Sequence, residues 1–341
     1  MAIVATADDI LLEMAEELRA FVRPEAEARA ADERWKAQLR VVQPHRITAA
    51  LQRLLADGRL VADHDVTRGG RQITTFRPGD LSGRERPTAD AAARKRLLYA
   101  RYLSWASGSP SAAGLIGPAG QRMVHRTLRD VSPELGYKLE DSRIGDTSRF
   151  LDVEVPGGPL DNAAHLFLGE PSRRYSIPIE VKSRREWIYH TSTELYQVLY
   201  KAAALQLLLP KALIVPVLVC RRAHITAFRM LNDLGGYIIE VREQWLPADN
   251  TRVESNALLE VRNELAFLDL LMAPADGIHV YLRRHLTTHL PRELPEQADK
   301  WASAGSRFAA EYEALWRGGS RANLARIRQE MRVESRYGGG W

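Results

Sequence analysis

Two carboxylates and one ammonium group near the middle of the chain have types and a spacing that suit phosphodiester hydrolysis. Asp161 ends the run Pro-Leu-Asp, and Glu180 and Lys182 stand 19 and 21 positions later in the run Glu-Val-Lys. The segment 175–184, YSIPIEVKSR, alternates apolar and polar residues, which predicts a β-strand with Glu180 and Lys182 on one face. The turn-forming run 169–174, GEPSRR, predicts a hairpin that brings Asp161 close to Glu180. Carboxylates bind Mg²⁺ and a neighbouring lysine can position or activate water, so these residues predict metal-assisted hydrolysis.

A second carboxylate competes with Asp161 for the role of metal ligand. Asp152 lies in the segment 150–155, FLDVEV, whose alternation predicts another strand with Asp152 and Glu154 on the same face. We favour Asp161 because a proline precedes it, because the hairpin places it beside Glu180, and because it is nearer to Glu180 in the sequence. Glu140 is a candidate for a further ligand, and the choice between Asp152 and Asp161 stays open at this point.

The run Pro-Leu-Asp161 followed by Glu180-Val-Lys182 resembles the motif of the PD-(D/E)xK nuclease superfamily, which has a restriction-endonuclease-like fold. The surrounding pattern is also similar to that superfamily's αβββαβ core: a helix is predicted at 118–131, several strands follow, and a helix near 192–209 precedes a strand at 212–220. The sequence predicts one strand more than this core contains. The assignment of the first two strands of the core therefore stays open. The resemblance implies an α/β (α+β mixed) fold and a DNA endonuclease that depends on Mg²⁺ or Mn²⁺. It also implies that Asp161 and Glu180 bind the metal and that Lys182 acts on the attacking water.

The two flanking helices supply further candidates under the same resemblance. In the helix near 192–209, Glu194, Gln197 and Lys201 share one face by their spacing. Related nucleases place a Gln or Lys from this helix beside the metal, which makes Gln197 or Lys201 a candidate catalytic residue. Gln121, in the helix 118–131, stands where related enzymes carry a glutamate, so it would contribute only a hydrogen bond.

Residues 1–79 are predicted to form a separate module. Helical patterns cover 8–22 and 24–40, Pro44 begins a third helix, and two strand-like segments surround the hairpin signal Arg-Gly-Gly-Arg at 68–71. Three helices followed by a hairpin resemble a winged helix, which implies that the third helix enters the major groove of double-stranded DNA and that the wing contacts the backbone. A protein-interaction or dimerisation module is the alternative.

The residues assigned to DNA contacts are Arg46, Gln52 and Arg53 on the third helix, Arg68 and Arg71 at the wing, and Arg184 and Arg185 beside the predicted active site, which Arg173 and Arg174 also flank.

Composition sets the remaining limits. The chain has 341 residues, of which 45% are hydrophobic. Its net charge of +5 favours a polyanionic partner. Its one cysteine excludes an internal disulfide and a cysteine-rich zinc site. No apolar run approaches the length of a membrane span, so we expect a cytoplasmic protein without membrane contact.

After a linker and connecting helix at 80–117, the predicted nuclease core covers 118–250. The helical region 251–341 has three roles open to it: completing the fold, holding DNA or forming a homodimer.

The function that the sequence predicts is a metal-dependent DNA endonuclease in restriction, phage defence or DNA repair. Two alternatives remain. The first is a catalytically inactive regulator or assembly factor that keeps the nuclease fold and binds DNA, and Gln121 in place of an acidic residue favours it. The second is a nuclease that acts on RNA or on DNA junctions.

Overall fold

The structure is a computed structural model of the chain, and it describes residues 6–31, 41–67, 69–109, 112–140, 146–169, 172–249, 253–274 and 278–334. It is a mixed α/β protein with 53% of the described residues in helices and 20% in strands, which confirms the predicted α/β class. Among the described residues, no helix combines the length and the apolar character that a membrane span requires.

The helices of the described chain, in order, are α1 (Ala7–Leu18), α2 (Arg23–Ala30), α3 (Pro44–Ala56), α4 (Glu85–Ala106), α5 (Ile116–Leu135), α6 (Thr193–Leu208), α7 (Ile225–Asp233), α8 (Ser255–Glu264), α9 (Val280–Arg284), α10 (Leu290–Ser303), α11 (Ala309–Arg317) and α12 (Arg321–Glu334). A π-helical turn, His285–His289, joins α9 to α10, and a 3₁₀ turn, Gly305–Phe308, precedes α11.

The strands are β1 (Phe21–Val22), β2 (Leu60–Val66), β3 (Gln72–Pro78), β4 (Lys138–Leu139), β5 (Arg149–Phe150), β6 (Val153–Glu154), β7 (Asn162–Leu168), β8 (Arg173–Lys182), β9 (Leu213–Ile214), β10 (Val217–Cys220), β11 (Tyr237–Glu240), β12 (Gln244–Leu246) and β13 (Leu270–Met272).

Internal contacts divide the chain into two compact units. The first contains residues 1–115 and 249–271, and the second contains 116–248 and 272–341. The division at 115 lies close to residue 118, where the sequence predicts the nuclease core to begin. Residues 249–271 cluster with the N-terminal part of the chain, whereas the sequence places them at the end of the core and in the C-terminal region.

In the first unit, three helices and a three-stranded antiparallel sheet of order β1-β3-β2 enclose a core. The predicted hairpin is present, because β2 pairs with β3 around a tight turn in which Gly70 has a φ of 78°. The predicted helix 8–22 is too long: α1 ends at Leu18, and Arg19 takes a left-handed conformation with a φ of 63°. Phe21 and Val22 then pair with β3 as an edge strand. Of the predicted helix 24–40, α2 covers the first part, and positions 32–40 lie outside the described residues.

The second unit is built on a mixed sheet with the strand order β11-β10-β8-β7-β4, to which β9 adds by pairing with β8. Strands β8, β10 and β11 are parallel, and β7 runs antiparallel between β8 and β4. The chain passes from α5 through β4, β7 and β8 to α6 and β10. The prediction of one strand at 150–155 is wrong. This segment contributes to β5 and β6, two strands of two residues each that pair with one another as a hairpin outside this sheet.

Helices cover both faces of the sheet at β8, where consecutive side chains, which point to opposite faces, are buried. Val181 faces α5, which approaches the strand at Gly120: a Cβ on this glycine would lie 2.0 Å from Ser183 Oγ. Glu180 points to the other face, where Lys201 of α6 contacts it. The core on that face contains α6 side chains such as Leu195, Leu199 and Leu205. Polar groups of β8 therefore lie under a helix, in a region where an unpaired charge would be costly.

Candidate active site

The pairing of β7 with β8 brings Asp161 next to Glu180. Asn162 pairs with Ile179 in the antiparallel register, so the residue before Asn162 lies opposite the residue after Ile179. The backbone N–H of Val181 donates a hydrogen bond of 2.7 Å to Asp161 Oδ2, which fixes the carboxylate at the end of the strand pair. Asp161 is 8% exposed and Glu180 is 1% exposed. The hairpin that the sequence predicts thus brings the two carboxylates together.

Glu180 lies between two lysines. Lys182 Nζ is 2.8 Å from Oε2 of Glu180 and 3.8 Å from Oδ2 of Asp161. Lys201 Nζ is 2.5 Å from Oε1 of Glu180, and it also donates a hydrogen bond to the backbone carbonyl of Pro159. We call Asp161, Glu180, Lys182 and Lys201 the carboxylate–lysine cluster. Its two negative and two positive charges balance when all four groups are ionised.

Burial and repulsion shift the protonation of Asp161. Removal from water raises the pKa of Asp161 to about 6, and the negative charge of Glu180 raises it as well. Lys182 and the hydrogen bond from Val181 oppose this shift without cancelling it. A pKa near 6 means that Asp161 changes its charge close to neutral pH, and perturbed carboxylates of this kind occur often at functional sites.

Gln121 completes the surroundings of Asp161. Its side-chain Nε2 donates a hydrogen bond of 2.5 Å to Oδ1 of Asp161. Gln121 extends from α5, so the two helices that flank the sheet both reach the cluster. The sequence predicts that a glutamine here contributes by a hydrogen bond, and the structure shows such a bond to Asp161.

Lys201, rather than Gln197, is the α6 residue in contact with the carboxylates. The two positions are four apart and therefore lie on one face of the helix, and Gln197 is half-buried there. The hydrogen bonds to Glu180 and to Pro159 come from Lys201, which is 2% exposed. Burial and contact with Glu180 distinguish Lys201 from Gln197, and both depend on a residue of another element.

Asp152 and Glu140 lie away from the cluster's contacts. Asp152 stands at the turn between β5 and β6, with a φ of 65°, and its side chain is exposed. The predicted strand position of Asp152 is therefore wrong. The carboxylate of Glu140 accepts a hydrogen bond from the backbone N–H of Leu151 and pairs with the imidazole of His165. Of the competing carboxylates, Asp161 is the one that meets Glu180.

The arginines predicted to surround the site do not do so as a group. Arg184 is exposed and forms ion pairs with Glu186 and Glu194. Arg185 is buried and donates to the side chain of Gln244, so it does not have the exposed position that its predicted role as a DNA contact requires. Arg173 and Arg174 begin β8, which places Arg174 about 26 Å along the strand from Lys182.

The predicted DNA-contact residues of the first unit differ in their environments. Arg46 and Gln52 are exposed on α3. Arg53 is exposed too, but it forms an ion pair of 2.6 Å with Asp8 of α1. Arg71 donates to the backbone carbonyl of Gly108 and is half-buried. Arg68 lies outside the described residues.

The donor set at the cluster suits a hard divalent cation. The negative charge of Glu180 disfavours ionisation of Asp161, and a cation between the two carboxylates would relieve the repulsion that raises the pKa of Asp161. In the described part of the chain, no group of three or more His, Cys, Asp or Glu side chains is placed to hold a metal. Mg²⁺ is often held by one or two carboxylates, with water and substrate phosphate as the other ligands, so two carboxylates are an adequate set.

Neither a protein-family model, nor a curated protein sequence, nor a solved structure matches this chain. The function must therefore be inferred from the arrangement of its own residues.

Proposed function

We propose that this chain is a metal-dependent deoxyribonuclease of the PD-(D/E)xK superfamily that hydrolyses phosphodiester bonds of double-stranded DNA. The observation that carries the proposal is the convergence of Asp161, Glu180 and Lys182 at one end of the strand pair β7–β8. Restriction, phage defence or DNA repair are the roles in which such an enzyme would act.

The order of elements around the cluster supports the same proposal. Helix α5, strands β4, β7 and β8, helix α6 and strand β10 follow one another in the chain, and the four strands are neighbours in the order β10-β8-β7-β4. This order supports the αβββαβ core that the resemblance implies. The two-residue length of β4 and the separate β5–β6 hairpin account for the surplus strand candidate in the sequence.

Asp161 and Glu180 are the residues that would hold Mg²⁺ or Mn²⁺. A divalent cation bound by them would supply Lewis-acid stabilisation of the negative charge on the scissile phosphate. With such a cation the cluster would have a net charge of +2, because its four side chains sum to zero. That surplus favours a phosphodiester over a neutral molecule.

The two lysines have different roles in the proposal. The side chain of Lys182 is 18% exposed, so its terminal nitrogen can reach solvent and substrate; as an ammonium group it can orient the attacking water, and as the neutral amine it can accept a proton from that water. Lys201 is buried and held by two acceptors, which suits positioning of Glu180 and of the backbone at Pro159. Gln121 holds the second oxygen of Asp161 in place.

The same geometry favours one competing function, a regulator that keeps a nuclease-like fold without activity. The cluster balances its own charges, and both carboxylates already have partners for each of their oxygens. A network of this kind can be a structural element alone, with DNA bound elsewhere on the chain.

The experiment that separates the two functions is a cleavage assay with matched variants. Purified protein is incubated with supercoiled plasmid, linear duplex and single-stranded DNA in Mg²⁺, Mn²⁺ or EDTA. We expect cation-dependent cutting that Asp161→Asn and Lys182→Met each reduce by about 100-fold or more. Lys211→Met, which removes an exposed lysine away from the cluster, is the control and should cut normally. Binding of duplex DNA without cutting in any cation would favour the regulator.

A further inference from the structure

A short backbone bridge extends the central sheet beyond the ends of β8 and β10. Ile188 and Ala223 pair in parallel, through hydrogen bonds of 2.9 Å from Ile188 N–H to Arg222 O and 2.8 Å from His224 N–H to Ile188 O. The side chains of Ile188 and Ala223 belong to the buried core. Their neighbours in the chain therefore face the other way, as in any extended pair.

Those neighbours form two contacts between flat side chains. The ring of Tyr189 stacks on the ring of His224, with centroids 4.8 Å apart and planes inclined by 22°. The guanidinium of Arg222 lies over the ring of Trp187 at 5.6 Å. All four side chains are partly exposed. We call Trp187, Tyr189, Arg222 and His224 the stacking shelf.

The surroundings of the stacking shelf are basic. His190, next to Tyr189, contacts the hydroxyl of Thr226 at 3.0 Å, and burial lowers its pKa while the charges of Arg328 and Arg332 on α12 lower it further. The carboxylate of Glu240 lies 3.9 Å from the guanidinium of Arg222 and offsets part of the charge.

The stacking shelf begins next to the carboxylate–lysine cluster. Cys220 pairs with Lys182 in the register of β10 and β8. Arg222 is two residues further along, which an extended chain spans in about 7 Å. The shelf therefore begins close to the end of β8 that carries Lys182, with its rings turned away from the core that covers Glu180.

We infer that the stacking shelf binds unpaired bases of single-stranded DNA. Every base has a flat face that stacks on aromatic rings and on guanidinium groups, and basic side chains attract the phosphates between them. The choice of DNA rests on the proposed nuclease function, whereas the stacking itself follows from the shelf's own geometry. The substrate at this site is thus a strand that is frayed, flapped or locally opened, rather than an intact duplex alone.

The test measures binding without cleavage. A fluorescently labelled oligothymidylate of about 12 nucleotides, within the usual span of single-strand sites, is titrated with protein in EDTA, and anisotropy reports the dissociation constant. We expect Trp187→Ala and Tyr189→Ala each to weaken binding by roughly 5- to 150-fold, the range for loss of one stacked base. Trp187→Phe should retain most of the affinity because it keeps an aromatic face. Thermal unfolding of each variant shows that it is folded.

Phe167→Ala is the matched control, since Phe167 is an exposed ring on β7 with the cation of Lys138 at 5.1 Å, far along the sheet. It should bind the oligonucleotide like the native protein. Salt gives a second measurement: Arg222→Gln should reduce the slope of log affinity against log salt by about 0.7, whereas Trp187→Ala should leave the slope unchanged.

The inference is overturned if both alanine variants bind oligothymidylate normally, or if Phe167→Ala weakens binding as much as they do. A preference for intact duplex that none of the variants alters would overturn it as well. Because EDTA prevents cleavage, the two proposals fail separately. Shelf-dependent binding by a protein that cuts no DNA would refute the nuclease alone, and cutting by a protein whose shelf variants bind normally would refute the shelf alone.

Discussion

The ammonium group of Lys201 lies 2.5 Å from Oε1 of Glu180 in a part of the core where both residues are almost fully buried. A buried ion pair adds little net stability compared with apolar residues of the same size, because both charges have left water. Removal of one member is far more costly, because it leaves the other charge without compensation.

A double-mutant cycle across this pair should therefore be strongly non-additive. We expect Glu180→Gln to lower the free energy of unfolding by about 3–5 kcal/mol, since it leaves the Lys201 charge buried. The double variant Glu180→Gln with Lys201→Met should be less destabilised than the sum of the single changes, by about 0.5–3 kcal/mol. Urea unfolding of the four proteins measures the coupling. Additive effects would show that the pair is not energetically linked.

The proximity of the cluster's carboxylates could be predicted from the sequence because it depends on local pairing. The alternation of YSIPIEVKSR and the turn formers before it are sufficient to predict the hairpin, and a period of two then gives the face of Glu180 and Lys182. Both features act over neighbouring residues. Asp161 meets Glu180 as a direct result of that register.

Lys201 and Arg185 could not be assigned in the same way, because their burial depends on distant partners. Helical spacing puts Gln197 and Lys201 on one polar face, and only the position of Glu180, on another element, draws Lys201 into the core. Arg185 is buried against Gln244, which is 59 positions later. Similarly, the alternation of FLDVEV is compatible with one strand or with two short strands, and the left-handed turn at Leu151 and Asp152 decides for the second.

The stability of the protein should depend on pH through Asp161. The folded state raises the pKa of Asp161 from 3.8 to about 6, so it binds a proton more tightly than the unfolded chain does. The associated stability is fully present below about pH 4 and is lost as pH rises through about 6, in total about 3 kcal/mol. Asp161→Asn removes this titration, since its amide stays neutral. As the pH rises from 5 to 8, the stability of this variant relative to the native protein should therefore increase by about 1.4 kcal/mol.

Urea unfolding at a series of pH values measures this difference. Asp152→Asn is the control, because the side chain of Asp152 is exposed at a turn, and its pH profile should follow that of the native protein. A native profile that is parallel to that of Asp161→Asn across the same range would contradict the assignment.

Divalent cations should stabilise the folded chain through the same carboxylates. Binding to the folded state alone raises the free energy of unfolding by about 2.7 kcal/mol at a free cation concentration of 100 times the dissociation constant. We expect Mg²⁺ or Mn²⁺ to raise the melting temperature of the native protein above pH 6, where Asp161 is ionised, and to do so much less at pH 5. EDTA should reverse the effect.

Variants make the cation test specific. Glu180→Gln should abolish the increase in melting temperature, because it removes one of two anionic ligands. Lys182→Met should enlarge it, because it removes a positive charge 2.8 Å from Glu180 that competes with the cation. An equal increase in all three proteins would place the cation elsewhere on the chain.

The first unit offers a separate test of duplex binding, because two of its predicted contact residues differ in their partners. Arg46 is exposed on α3, whereas Arg71 donates to the backbone carbonyl of Gly108. If α3 contacts DNA phosphate, Arg46→Ala should weaken duplex binding at all sequences and reduce the salt slope by about 1, with little change in stability. Arg71→Ala should instead lower the free energy of unfolding by about 1.5–3 kcal/mol, the usual contribution of a charged hydrogen bond, and affect binding less.

Anisotropy titrations with a labelled duplex in EDTA, beside urea unfolding, measure both quantities. Normal duplex binding by Arg46→Ala and Gln52→Ala together would exclude α3 as the DNA-contacting helix and would favour a protein-interaction role for this unit.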